Sequence, residues 1–228
     1  MRIRQTSYLY SVLSDAALTL LRISALLTLM NIWHNASAAD QADGVNGAQA
    51  ASDNPASRSA RAPLHIQSVI PHARLAGEGR FRWFGIPIYA AQLWVGDNGY
   101  QPSAPDAASF ALDLRYDRSF EGSKVAESSI DQMRKIGRGS DAEYGPWLSQ
   151  MKAIFPNVVE GSRLTGIFLP GIGARFYMDG KPIGEIADPQ FSSAFFGIWL
   201  SPKTTSAPLR KQLLMHAAPS KPANNLAP

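Results

Sequence analysis

Leu75-Ala-Gly-Glu-Gly-Arg-Phe-Arg-Trp-Phe-Gly-Ile-Pro-Ile-Tyr-Ala-Ala-Gln-Leu-Trp-Val95 reads as two strands joined at Gly85. Residues Gly79–Phe84 alternate, with Phe81 and Trp83 on one face and Arg80 and Arg82 on the other. Ile86–Val95 is apolar on both faces, the pattern of a central strand covered on both sides.

Downstream, Asn98-Gly99 and Pro102–Asp106 mark a loop, and Phe110–Tyr116 alternates again with Phe110, Leu112, Leu114 and Tyr116 together. The period then becomes helical. Val125, Ser129, Met133 and Ile136 form a stripe that ends at Gly137. Ser140-Asp-Ala-Glu143 has the spacing of a capping box opening a second helix, with Tyr144, Trp147, Leu148, Met151, Ile154 and Phe155 inward and a stop before Pro156. Strands return at Arg163–Leu169 and Ala174–Met178, and Asp179-Gly180 signals a hairpin into Pro182–Ile186. Asp188 caps a helix whose first residue is Pro189, with Phe191, Ala194, Phe195, Ile198 and Trp199 inward. Ser206 caps the last helix, with Leu209, Leu213 and Leu214 on its apolar face. Three strands, two helices, three strands and two helices make an α+β chain rather than an alternating βα one.

The opening G-x-G segment running into the Ile86–Val95 strand resembles the chalcone isomerase-like family. So do Leu114–Phe120 leading into Ser123–Glu127, the hairpin Gly173–Gly180, and Phe196–Leu200 followed by Thr205–Leu214. The whole looks most like the bacterial, exported branch. The resemblance implies an open-faced β-sandwich, in which a curved antiparallel sheet carries helices on one face and a cleft lies between the layers. In the plant enzymes of this family a ring-closing addition is guided by an arginine on the first strand, a threonine on the next, and a tyrosine and an asparagine flanking the first helix. Carried over, the arginine position holds Phe81, the threonine position Tyr89, the tyrosine position Glu121 and the asparagine position Ser128. Stabilising a developing phenolate or enolate needs a cation or strong donors. Phe81 offers none, and Glu121 opposes that charge. No catalytic residue is therefore assigned. The ligand-binding set expected from the resemblance is Phe81, Arg82, Tyr89 and Arg80, with Tyr89 as a polar anchor and the arginines as a cationic end for a carboxylate.

The rest of the chain sets the context. Its 228 residues are 45 % hydrophobic and 18 % charged, enough for a packed core. The net charge of +4 is scattered, with no Lys/Arg run interleaved with aromatics, which argues against a nucleic-acid surface. Cysteine is absent, which excludes disulfides, thiolate nucleophiles and Cys-based metal sites. His34, His65, His72 and His216 do not pair at ligand spacing, so no metal or cofactor is expected. Gly77-Glu-Gly79 opens no helix and does not read as a phosphate loop.

Arg2, Arg4 and Arg22 precede the apolar run Ile23–Trp33, and Ala36-Ser-Ala38 follows with a small-x-small pattern. This is the order of a cleavable export signal. The run is too short to span the roughly 30 Å hydrocarbon layer. The expected organisation is a signal peptide at 1–38, a disordered linker at 39–62, one domain at 63–216 and a disordered tail at 217–228, in a periplasmic protein with no membrane span after cleavage. The functional reading is a non-enzymatic protein that binds a small hydrophobic, fatty-acid-like ligand in the sheet–helix cleft. The alternatives are an accessory module docking a protein partner through its sheet edge or aromatic surface, and a lyase or isomerase using Tyr89 with Arg82. An apolar cleft with a cationic end favours ligand binding, whereas one filled by Phe81, Trp83 and Tyr89 favours the accessory module.

Overall fold

The structure is a computed structural model that describes residues 61–220. The expected signal peptide lies outside the described residues, as do nearly all of the linker and the tail beyond Ser220. Six strands form one antiparallel sheet in simple sequence order: β1 (Arg74–Trp83), β2 (Ile86–Val95), β3 (Phe110–Tyr116), β4 (Arg163–Leu169), β5 (Gly173–Met178) and β6 (Lys181–Ile186). Helices α2 (Gly122–Lys135) and α3 (Asp141–Ile154) fill the β3–β4 connection. Helices α4 (Pro189–Leu200) and α5 (Ala207–Leu213) follow β6. A four-residue helix α1 (Leu64–Gln67), which no periodicity announced, precedes β1.

The two sheet faces have different chemistry. Leu93, Phe110, Leu112, Leu114, Phe168 and Phe176 face α2–α5 and join one core with Met133, Met151, Phe191, Phe195, Phe196 and Leu213. Each such side chain stabilises the fold by about 1.5–3 kcal/mol through removal from water. On the back face α1 and the turn after it set Ile66 and Ile70 against Trp94, Ala111, Ile167 and Tyr177. Only the second half of β2 is therefore buried on both faces; Ile86 is exposed and Pro87–Ala90 are half-buried.

Asp188 caps α4 as its sequence position implied. Its carboxylate accepts from the Gln190 and Phe191 amides at 2.8 and 3.0 Å, and its second oxygen accepts from the Trp147 indole at 2.8 Å. Ser140 does stand at the N-cap of α3, but the capping box closes differently. The Ser140 hydroxyl donates to the Glu143 carboxylate at 2.6 Å, and neither side chain takes a backbone amide. The G-x-G of β1 has a packing role. A Cβ on Gly77 would sit 2.1 Å from the Gln212 carbonyl oxygen, and one on Gly79 would sit 2.1 Å from the Gln212 side-chain oxygen. Two residues without side chains let α5 lie directly on β1.

Order extends past His216, where the composition placed a tail. Ala217 is buried and its carbonyl accepts from the Tyr100 amide at 2.7 Å. Arg74 donates to the His216 carbonyl at 2.6 Å and also to the Ala218 carbonyl. Ala62, at the other boundary, is buried under α1 and accepts from the Gln67 side chain.

Candidate functional site

The four residues expected to bind ligand do not come together. Phe81 and Tyr89 are direct cross-strand partners on the helix-facing side, with rings stacked at 5.2 Å and 22°. Tyr116 meets Tyr89 edge-on at 6.0 Å, and Phe120 continues the row at 5.9 Å from Tyr116. The Tyr89 hydroxyl accepts from the Trp199 indole N–H at 3.0 Å. The family's cleft position is thus occupied by the protein's own rings, and its hydroxyl is already engaged. Burial drives the phenol pKa of Tyr89 well above the ordinary value, against the bond from Trp199. Burial raises Tyr116 likewise, and neighbouring Tyr89 adds to it.

The arginines take other roles. A register shift between Phe81 and Arg82 sets Arg80 opposite Ala90 but Arg82 opposite Pro87. The extra residue of this bulge is Ile88 on β2, so Arg80 and Arg82 keep the two-residue spacing of β1. Arg80 lies on the back side, 3.6 Å from Asp117, and Arg82 donates to the Gly85 carbonyl of its own hairpin at 3.1 Å. Arg82 therefore braces the turn rather than standing beside Tyr89. Trp83, expected to share an inward face with Phe81, is 62 % exposed because the hairpin projects past the last helix-covered residue.

Sequence reasoning missed a polar relay on the back face. Asp113, fully buried on β3, accepts from the Thr165 hydroxyl at 3.1 Å and from the Arg163 guanidinium, which also reaches Gln92. The Thr165 hydroxyl in turn meets His65 Nε2 at 3.0 Å, and the His65 ring packs on Tyr177 at 5.0 Å. Burial lowers the His65 pKa, with Arg163 acting in the same direction and Asp113 against it. The hydroxyl donates to the carboxylate, not to the imidazole, so this row is not arranged as a nucleophile with its base. It ties α1 to the sheet. The alternation of β3 hid it, since Asp113 reads as an outward position until α1 covers it.

A concavity lies at the opposite end of the sheet–helix boundary. A groove of about 60 Å³ runs between the β3 and β4 ends, α4 and the 100–106 loop, lined among others by Tyr100, Phe110, Phe168, Phe196, Leu200 and Arg138. Its floor is aromatic. Phe110 stacks on Phe168 at 4.9 Å, and Phe196 and Tyr100 meet Phe110 edge-on at 5.1 and 5.2 Å. A second, more polar cavity of about 180 Å³ adjoins it across Tyr100 and Pro105. Burial raises the Tyr100 phenol pKa; Arg210 and Arg138 oppose this rise and Asp106 adds to it. The hydroxyl thus stays protonated near neutrality, as a donor. No carboxylate among the described residues pairs with Arg138. No cluster of acidic or histidine side chains among the described residues is suited to a metal, and no described helix is long and apolar enough to cross a membrane.

A family model described as chalcone isomerase-like matches residues 65–215. A Haemophilus influenzae protein, itself described only as uncharacterized, is 28 % identical over 143 residues, covering 63 % of this chain and 68 % of the relative. A crystal structure of an Arabidopsis thaliana fatty-acid binding protein superposes with a TM-score of 0.49 at 15 % identity, over 64 % of this chain and 89 % of the plant chain.

Proposed function

We propose that this chain, which belongs to the chalcone isomerase-like family, is a non-enzymatic periplasmic protein that binds a small apolar carboxylate, in the groove under Tyr100 rather than at the family's cleft position, which Phe81, Tyr89 and Tyr116 fill. The observation that carries the reading is the groove under Tyr100: an aromatic floor of Phe110, Phe168 and Phe196 with Arg138 at its rim. Such a site has room for a short hydrocarbon segment and offers a charge-assisted donor to its carboxylate. The Tyr100 hydroxyl supplies a second, neutral donor. At the position where the family's enzymes hold a cation stands Phe81, stacked on a tyrosine that is already bonded. The isomerase alternative with Tyr89 and Arg82 lacks their juxtaposition. The export half of the reading rests on the basic, apolar and small-residue order of residues 2–38, and the mature protein then begins at Ala39.

The test is calorimetric titration of the exported protein with straight-chain carboxylic acids of increasing length and with the matching alcohols. Each buried methylene contributes about 0.8 kcal/mol, so affinity rises roughly fourfold per carbon until the groove and its neighbouring cavity are full. Arg138→Gln weakens the acids about tenfold and leaves the alcohols unchanged, as expected for loss of about 1.5 kcal/mol of charge-assisted bonding. Acids and alcohols binding the native protein equally, or no acid binding at all, would refute the assignment.

A further inference from the structure

The tip of the β1–β2 hairpin is left exposed by the described residues. Trp83, Phe84 and Ile86 are 62, 88 and 45 % exposed, and Trp83 and Phe84 pack mainly on each other, with rings 5.3 Å apart. Phe84 and Gly85 have φ of 48° and 80°, with Trp83 opposite Ile86, which makes a two-residue hairpin of type I′. Asn-Gly is the favoured pair for that turn. A phenylalanine in the left-handed region is strained and, with no burial there, nothing among the described residues compensates it. An exposed, strained aromatic at a projecting tip points to a contact outside the molecule.

The surroundings specify the contact. Arg82 folds back on the turn through Gly85 and is exposed, and Arg118 is exposed beside the root of the hairpin, where the Asp117 amide donates to the Ile88 carbonyl at 2.9 Å. Neither arginine pairs with a carboxylate among the described residues; Arg80 is 3.6 Å from Asp117, and Glu121 is the next acidic group along the chain. An apolar aromatic wedge behind a cationic collar matches the headgroup–acyl boundary of an anionic bilayer. There Trp and Phe partition into the interface and guanidinium groups meet lipid phosphates.

We infer that the Trp83–Ile86 hairpin tip docks the protein peripherally on an anionic phospholipid surface, with Trp83 and Phe84 inserted and Arg82 and Arg118 on the phosphates. The test compares the full exported protein with its Phe84→Asn and Trp83→Phe variants, on vesicles of equal parts phosphatidylglycerol and phosphatidylcholine and on vesicles of phosphatidylcholine alone. The native protein sediments with the anionic vesicles and is released as salt rises from about 0.1 to about 1 M, where the screening length falls to about 3 Å. Phe84→Asn binds at least tenfold more weakly while its thermal unfolding midpoint stays level or rises, since Asn-Gly suits the turn. Lipids brominated near the headgroup end of their acyl chains quench the native tryptophan emission, and Trp83→Phe loses that quenching. Binding of acids at the Arg138 groove is unchanged in both variants, which separates loss of lipid docking from loss of the acid site. Failure to bind anionic vesicles, or binding unaltered in Phe84→Asn, overturns the inference. A photo-crosslinker at position 84 that captures a protein, in the absence of vesicle binding, would assign the tip to a protein groove and overturn it as well.

Discussion

Replacing Tyr89 by Phe removes one oxygen and leaves every ring in place. The stack with Phe81 and the edge contact with Tyr116 survive. The loss falls on the Trp199 indole N–H, which donates to that oxygen at 3.0 Å from a residue only 7 % exposed. A hydrogen bond between neutral groups contributes about 1 kcal/mol net, and a buried donor left without a partner costs about 1–3 kcal/mol. Tyr89→Phe should therefore lower stability by about 1–3 kcal/mol if rings close the cleft at this end. If water or a ligand reaches the indole instead, the donor is satisfied and the loss falls below about 0.5 kcal/mol. Equilibrium urea unfolding followed by far-ultraviolet circular dichroism measures the difference, provided native and variant share one m-value. A loss under about 0.5 kcal/mol, with no change in Trp199 emission, would refute the ring-filled cleft.

Asp188→Ala removes a helix cap and the acceptor of the buried Trp147 indole, and should cost about 2–4 kcal/mol at neutral pH. Burial alone would raise the Asp188 pKa, but the bonds from Phe191, Trp147 and Gln190 outweigh it and hold the carboxyl below its ordinary range. Its contribution is then complete above the unfolded value of about 4 and is lost as pH falls through the folded one; unfolding curves of native and Asp188→Ala that fail to converge in acid would contradict this. Tyr89 and Tyr116 have folded pKa values raised by burial. Their contribution is complete below the unfolded phenol value of about 10 and declines as pH rises beyond it. Thermal midpoints should drop above pH 10 and drop less in Tyr116→Phe; a midpoint level through that range would be inconsistent with two buried phenols.

Most of the sheet could be read from the sequence because side-chain alternation and turn residues are local properties. The bounds of β2, β3 and β4 follow from such patterns, and Asp179-Gly180 gives the β5–β6 hairpin, where Asp179 has φ of 49°. Asp188 announced its cap because proline follows it. What was not legible depended on contacts between distant segments. Arg80 and Arg82 take separate partners, Asp117 and the Gly85 carbonyl, and a two-residue period has no means of showing it. Trp83 and Phe81 share a pattern, yet only one is covered, because coverage is decided by where the helices end. Asp113 looks solvent-facing along β3 until α1, too short for any periodic signal, seals it in with His65 and Thr165. The Arg138 groove likewise joins the end of α2 to residues of β3, β4 and α4, and no motif links them.

The seating of α5 on Gly77 and Gly79 has a kinetic corollary. The first strand of the sheet is completed by nearly the last described turn, with Gln212 and Leu213 against β1 and the His216 amide donating to the Ala76 carbonyl at 2.7 Å. Contacts of such long sequence separation are closed late, after the entropy of a long loop has been overcome. As the polypeptide appears from its amino end, β1 and β2 can pair, but the front of β1 stays bare until residues near 212 are available. Final consolidation is thereby deferred until α5 has emerged. In that interval the uncovered front of β1 is open to association with a neighbouring chain, and prompt arrival of α5 covers it.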